Sequence, residues 1–77
     1  MRYFVYILRS SLNGDIYVGS TANLDERINS HNSGKVKSTK AYGPWDFMDS
    51  QEFQSRSEAI MQERFLKTGQ QKEILRR

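Results

Sequence analysis

Tyr6, Tyr17, Arg27, His31 and Glu63 are the side chains whose chemistry and spacing stand out in this chain. A phenol serves as acid or base once its pKa leaves its ordinary value of about 10. A guanidinium stays charged at any relevant pH, and its planar fork matches two oxygens of an anion. The only histidine, His31, has an ordinary pKa of about 6.5 and suits proton relay. A carboxylate such as Glu63 can hold a hard divalent cation together with waters and phosphate oxygens. Each residue also has a plainer reading. Tyrosines in strands bury much apolar area. An arginine lays its stem on apolar surface with its head in water, and a lone histidine is commonly structural or exposed. Glu63 can pair with Lys67 four residues on or reach out past Ala59.

These residues need elements to position them. Arg2 to Arg9 is apolar on both faces, Tyr3, Val5 and Ile7 on one, Phe4, Tyr6 and Leu8 on the other. Two apolar faces predict a central strand covered on both sides. Asn13-Gly14-Asp15 is the turn, and Ile16 to Ser20 returns antiparallel. Asn23 caps the first helix, with Glu26 three residues on as in a capping box. Asp25 and Glu26 suit the positive end of its dipole. At about 100° per residue, Leu24 and Ile28 define an apolar stripe. Arg27 and His31 fall beside it, one turn apart, and Gly34 ends the helix.

Ser33 to Gly43 reads as a polar, lysine-rich loop long enough to be functional. Pro44 then begins a half-exposed, edge-like strand in which Trp45, Phe47 and Phe53 alternate with polar residues. Trp45 is expected in the core. Ser55 and Glu58 form a second capping box, with a helix to about Thr68 and Gly69 as its C′ residue. Gln70 to Arg77 adds further helical turns. On the second helix Ala59, Ile60, Glu63 and Leu66 lie within about 120° of one another. Glu63 therefore lies in the apolar stripe, where an ionised carboxylate is costly unless paired or metal-bound. The order β-β-α-β-α-α predicts an α+β domain, a three-stranded antiparallel sheet flanked by helices.

Residues 1–77 make one domain. A chain of 77 residues buries only about 60% of its unfolded surface. With 36% apolar and 12% aromatic residues it is a globule rather than a disordered chain. The net charge of +3 is unevenly spread. Lys35, Lys37 and Lys40 fall close together, and Lys72, Arg76 and Arg77 close the chain. Such clusters fit a phosphate-backbone partner, although lysines also keep loops solvated. There are no cysteines, which excludes a disulfide scaffold and cysteine chemistry and fits a reducing compartment. No signal peptide is recognisable, and no stretch approaches the roughly 20 apolar residues of a membrane span. A cytoplasmic protein is expected.

The pattern resembles the GIY-YIG nuclease family. Phe4-Val5-Tyr6 matches the first triplet and Tyr17-Val18-Gly19 the second, with the tyrosines eleven residues apart. The helical Arg of the family falls on Arg27, and a Glu followed by Leu-Lys falls on Glu63, Leu66 and Lys67. The Lys-Ala-Tyr-Gly-Pro-Trp and Glu-Arg-Phe-Leu-Lys-Thr-Gly runs are like those of the small single-domain bacterial members. The resemblance implies an endonuclease using one Mg²⁺ (or Mn²⁺) held by Glu63. Tyr6 would position or deprotonate the attacking water, and Arg27 would stabilise charge on phosphorus. Tyr17 would orient water or phosphate, and His31 could share the site. A nearby Arg and metal ion are expected to lower the Tyr6 pKa. Lys35, Lys37 and Lys40 would contact nucleic acid, DNA more than RNA, since members mostly act in DNA repair, recombination, restriction and mobile-element movement. Two departures stand out. Phe4 occupies the first Gly position, and no Asn follows Glu63 where larger members often carry one. The rival expectations are a non-catalytic nucleic-acid binding module and an interaction subunit of a DNA-processing complex, with a partner protein supplying specificity.

Overall fold

The computed structural model describes residues 2–37 and 39–76. The doubly apolar strand β1 (Tyr3–Ser10) occupies the centre of a three-stranded sheet ordered β2-β1-β3. Strands β2 (Ile16–Thr21) and β3 (Trp45–Phe53) flank it, both antiparallel. Successive side chains of β1 point to opposite faces, so each face needs its own cover. On one face Val5 and Ile7 pack with Ile16 and Val18 and with Ala59 and Leu66 of helix α2 (Arg56–Leu66). On the other, Tyr6, Leu8 and Trp45 pack with Tyr17 and with Leu24 and Ile28 of helix α1 (Leu24–Asn32). Helix α3 (Gly69–Arg76) follows α2 and adds Leu75 to the first of these clusters. The expected α+β order, β-β-α-β-α-α, is the observed one.

Both caps form as the sequence predicts. Asn23 Oδ1 accepts from the Glu26 backbone N–H at 3.2 Å, and its amide donates to the Glu26 carboxylate. Ser55 Oγ accepts from the Glu58 N–H. Gly34 adopts φ +78° just past α1, a conformation open to glycine without steric cost.

The second helix ends differently from expectation. It stops at Leu66, and Gly69 opens α3 instead of serving as a left-handed C′ residue. Thr68 explains this: its Oγ1 accepts from the Gln71 N–H and so caps the next helix. Strand β3 also departs from simple alternation. Ile7 pairs with Asp49 but Leu8 pairs with Phe47, leaving Met48 as the extra residue of a β-bulge. The bulge turns Trp45 and Phe53 to opposite faces, although an even spacing alone would put them on one. Phe47, beside the bulge, is exposed. The Ser33–Gly43 segment is not wholly irregular, since Lys40–Tyr42 form a 3₁₀ turn.

Candidate active site

Tyr6 stands on the central strand, and its cross-strand partner is Gly19. The Tyr6 ring lies across that glycine. A Cβ at position 19 would be 2.6 Å from Tyr6 Cζ and 3.1 Å from Tyr17 Cε1, and would meet the Tyr6 hydroxyl itself. The glycine of the second triplet is therefore required by the tyrosines around it. Tyr17 projects to the same face, two residues earlier on β2, with its ring centroid 6.2 Å from that of Tyr6. Helix α1 lays Leu24 and Ile28 on this face, and the same helical side carries Arg27 and His31.

The side chains converge on the Tyr6 hydroxyl. Arg27 Nε donates to Tyr6 Oη at 3.3 Å, and Tyr6 Oη lies 2.9 Å from His31 Nε2. On the far side of the ring, His31 Nδ1 is 2.8 Å from Thr39 Oγ1. Tyr17 packs edge-on against His31, with centroids 4.7 Å apart. Tyr6, His31 and Thr39 are 0%, 1% and 1% exposed, while Tyr17 and Arg27 are half-buried. Solvent therefore meets the cluster at Tyr17 and Arg27.

Burial sets the protonation states. The Tyr6 phenol is pushed up to about 12, chiefly by desolvation. The hydrogen bond from Arg27 opposes this and the nearby Tyr17 phenol adds to it. Arg27 does pull the Tyr6 pKa down, as expected of a neighbouring Arg, but loss of hydration outweighs the guanidinium and the net direction is upward. Burial, and then the charge of Arg27, lower the His31 pKa, so the ring is neutral at pH 7. His31 is also deeper than its position beside the helical stripe predicts.

Four of the five expected site residues, Tyr6, Tyr17, Arg27 and His31, thus form one cluster. Glu63 does not join it by any contact among the described residues. It sits on α2, the helix over the opposite sheet face, with its side chain 21% exposed and ion-paired to Lys67 at 3.1 Å. The plainer reading of Glu63 is therefore realised in this conformation. No group of three or more His, Cys, Asp or Glu able to cage a metal exists among the described residues. A single part-exposed carboxylate fits a hydrated Mg²⁺ that takes its remaining ligands from water and phosphate. Lys35, Lys37 and Lys40 are exposed and have no ion pair among the described residues. Arg77 and the side chains of Lys72 and Arg76 lie outside the described residues.

Thr39 and Trp45 contribute in ways that sequence reasoning missed. Trp45 is buried as expected. It also donates from Nε1 to the Thr39 carbonyl at 2.9 Å and from its backbone N–H to Asn32 Oδ1 at 2.7 Å. The indole bond holds Thr39 in place beside His31, and the backbone bond ties the start of β3 to the end of α1. A threonine among lysines and serines carries no periodic signal, so only the packed structure reveals it.

A three-stranded sheet with helices on both faces thus brings paired tyrosines, an arginine and a histidine together, with a glycine under the first tyrosine. The GIY-YIG catalytic domain family matches residues 2–75, and the chain belongs to that family. It is 36% identical to a UPF0213 protein of Staphylococcus haemolyticus, over 97% of this chain and 92% of the relative. It is 38% identical to a UPF0213 protein of Vibrio campbellii, over 96% and 73%. The solution NMR structure of a UPF0213 protein from Bacillus halodurans superposes with a TM-score of 0.60 at 37% identity, covering 97% of this chain and 82% of that one. No helix of the described residues is long and apolar enough to cross a membrane.

Proposed function

We propose that this domain is a metal-dependent endonuclease that hydrolyses nucleic-acid phosphodiesters, DNA in preference to RNA. The observation that carries this reading is the hydrogen-bonded cluster of Arg27, Tyr6 and His31, opening to solvent at Tyr17. Arg27 is half-buried and always charged, so it binds the scissile phosphate and stabilises the charge that develops on it. The attacking water meets the Tyr17 phenol. Tyr17 takes the proton of the water and passes its own to Tyr6, and Tyr6 gives its proton to His31 Nε2. The new P–O bond forms as the bond to the leaving oxygen breaks, and the leaving oxygen takes a proton from solvent. Relayed transfer lets both phenols stay neutral before and after the step, consistent with the high pKa of Tyr6. Glu63 would hold Mg²⁺ or Mn²⁺, which when bound supplies positive charge to phosphate and leaving group. Lys35, Lys37 and Lys40 hold the nucleic-acid backbone. A cytoplasmic location and a role in DNA repair accord with this reading.

The second reading is a nucleic-acid binding module, alone or as the interaction subunit of a DNA-processing complex. The Glu63–Lys67 ion pair favours it. A cleavage assay separates the two, using branched, flapped, duplex and single-stranded DNA and single-stranded RNA. The expected result is cutting in Mg²⁺ or Mn²⁺ that stops in EDTA. It is abolished by Glu63→Ala and reduced about 10²- to 10³-fold by Arg27→Ala. Equal binding by wild type and Glu63→Ala, with no cutting by either, would establish the module instead.

A further inference from the structure

We infer that Thr39 is a positioning residue that holds His31 as its Nδ1–H tautomer, leaving the Nε2 lone pair to receive the Tyr6 proton. Counting protons assigns the ring. Arg27 Nε only donates, so it fills one lone pair of Tyr6 Oη. The Thr39 hydroxyl has one proton, and the Val36 carbonyl lies 3.3 Å from its oxygen. If Thr39 gives that proton to Val36, its oxygen is left as an acceptor facing His31 Nδ1 at 2.8 Å. His31 then carries its proton on Nδ1, and Nε2 accepts from Tyr6 at 2.9 Å. Every hydrogen bond is satisfied in one direction: Arg27 to Tyr6, Tyr6 to His31, His31 to Thr39, Thr39 to Val36.

The opposite tautomer does worse. Nε2–H would donate to Tyr6 Oη beside the Arg27 bond, turn the Tyr6 proton toward the Tyr17 phenol, and leave no lone pair on Nε2 to take the Tyr6 proton in the proposed relay. Thr39 would have to turn its proton to Nδ1 and give up its hydroxyl bond to the Val36 carbonyl, which would keep only the bond from the Thr39 backbone N–H. The Tyr17 phenol is a further partner of the Tyr6 hydroxyl, and in the proposed relay it donates. Tyr6 on β1, Tyr17 on β2 and Arg27 on α1 are the titratable or charged groups around the ring, and Trp45 on β3 bonds to the Thr39 carbonyl. The tautomer depends on the direction of the Thr39–Val36 hydrogen bond; its consequence for rate rests on the proposed nuclease reading.

Because His31 is the only histidine, its ring ¹⁵N signals are unambiguous in a uniformly labelled protein. Long-range ¹H–¹⁵N spectra at pH 7.5 should show a protonated Nδ1 and a bare Nε2 in wild type and in Thr39→Ser. Thr39→Val, which keeps the volume but loses the acceptor, should move the proton wholly or partly to Nε2. The same variant should cleave at least roughly tenfold more slowly, a part of what general acid–base catalysis supplies, and Thr39→Ser should restore the rate. If Thr39→Val does not fold, Thr39→Ala compared with Thr39→Ser reads the same two quantities. An Nε2–H ring in wild type, or an unchanged tautomer without the hydroxyl, would overturn the inference. So would an altered tautomer in a variant that cleaves at the wild-type rate. An altered tautomer in a protein that never cleaves would uphold the assignment of the ring while removing the nuclease reading.

Discussion

At the scale of residues, the site is governed by hydration lost. His31 binds its proton more weakly in the folded chain than in the unfolded one, because it is buried and faces Arg27. Below pH about 6.5 the unfolded chain therefore holds more protons, and stability falls as pH drops. Above that value the contribution is fully present. The His31 ring should titrate by NMR with a midpoint below 6.5, and His31→Gln should lack the part of the stability loss seen between about pH 6.5 and 5. Tyr6 behaves in the other sense. Its folded pKa of about 12 exceeds the ordinary value of about 10, so the unfolded chain ionises first. Stability is held below pH 10 and declines as pH rises from about 10 toward 12. Ultraviolet titration should find one of the four tyrosines still protonated after the exposed phenols have ionised. Gly19 makes the steric counterpart. Gly19→Ala drives a methyl into the Tyr6 ring, and overpacking of this kind costs about 1–3 kcal/mol. Chemical denaturation should show that loss, together with a disturbed His31 signal.

At the scale of elements, two devices hold the cluster together. One is the cap of α1, which fixes where the helix starts and hence which turn carries Arg27 and His31. Asn23→Ala should cost about 1 kcal/mol, read as a lower denaturation midpoint. The other is Trp45, which joins the end of β3 to the segment before it through the Thr39 carbonyl. Trp45→Phe keeps an aromatic in the core but removes the indole donor, leaving that carbonyl only its bond from the Tyr42 N–H. A loss of about 0.5–1.5 kcal/mol is expected, and the His31 ring signals should broaden as Thr39 loses its anchor. The bulge at Met48 belongs to the same scale. It lets one strand supply Trp45 to the site face and Phe53 to the other.

At the scale of the whole molecule, the sheet separates two chemistries. The phenol, imidazole and guanidinium lie under α1, and the carboxylate lies on α2 over the opposite face. A substrate that uses both must meet residues of both α1 and α2. The exposed lysines of the 33–43 segment are the obvious means of holding it. Replacing Lys35, Lys37 and Lys40 together with Gln should weaken duplex binding at every sequence. It should also flatten the plot of log K against log salt by about 0.9 for each phosphate that is no longer neutralised. A slope unchanged in the triple variant would remove this segment from the interface.

Whatever depends on neighbours along the chain was legible in the sequence. The unbroken apolar run of β1, the Asn23 and Ser55 caps and the glycine after α1 are local choices, so element order, central strand and fold class could all be read in advance. So could the grouping of Tyr6, Tyr17 and Arg27, because strand parity and helical phase place them once the fold is known. Whatever depends on residues distant in sequence waited for the folded chain. Burial of the Tyr6 ring outweighs the pull of Arg27 on its pKa. The bulge broke the parity on which the placing of Phe47 and Phe53 relied. The bond between His31 and Thr39, eight residues apart across a segment without periodicity, appears only when that segment folds back under Trp45. Desolvation and hydrogen bonding act through space, and no pattern of spacing along the chain encodes them.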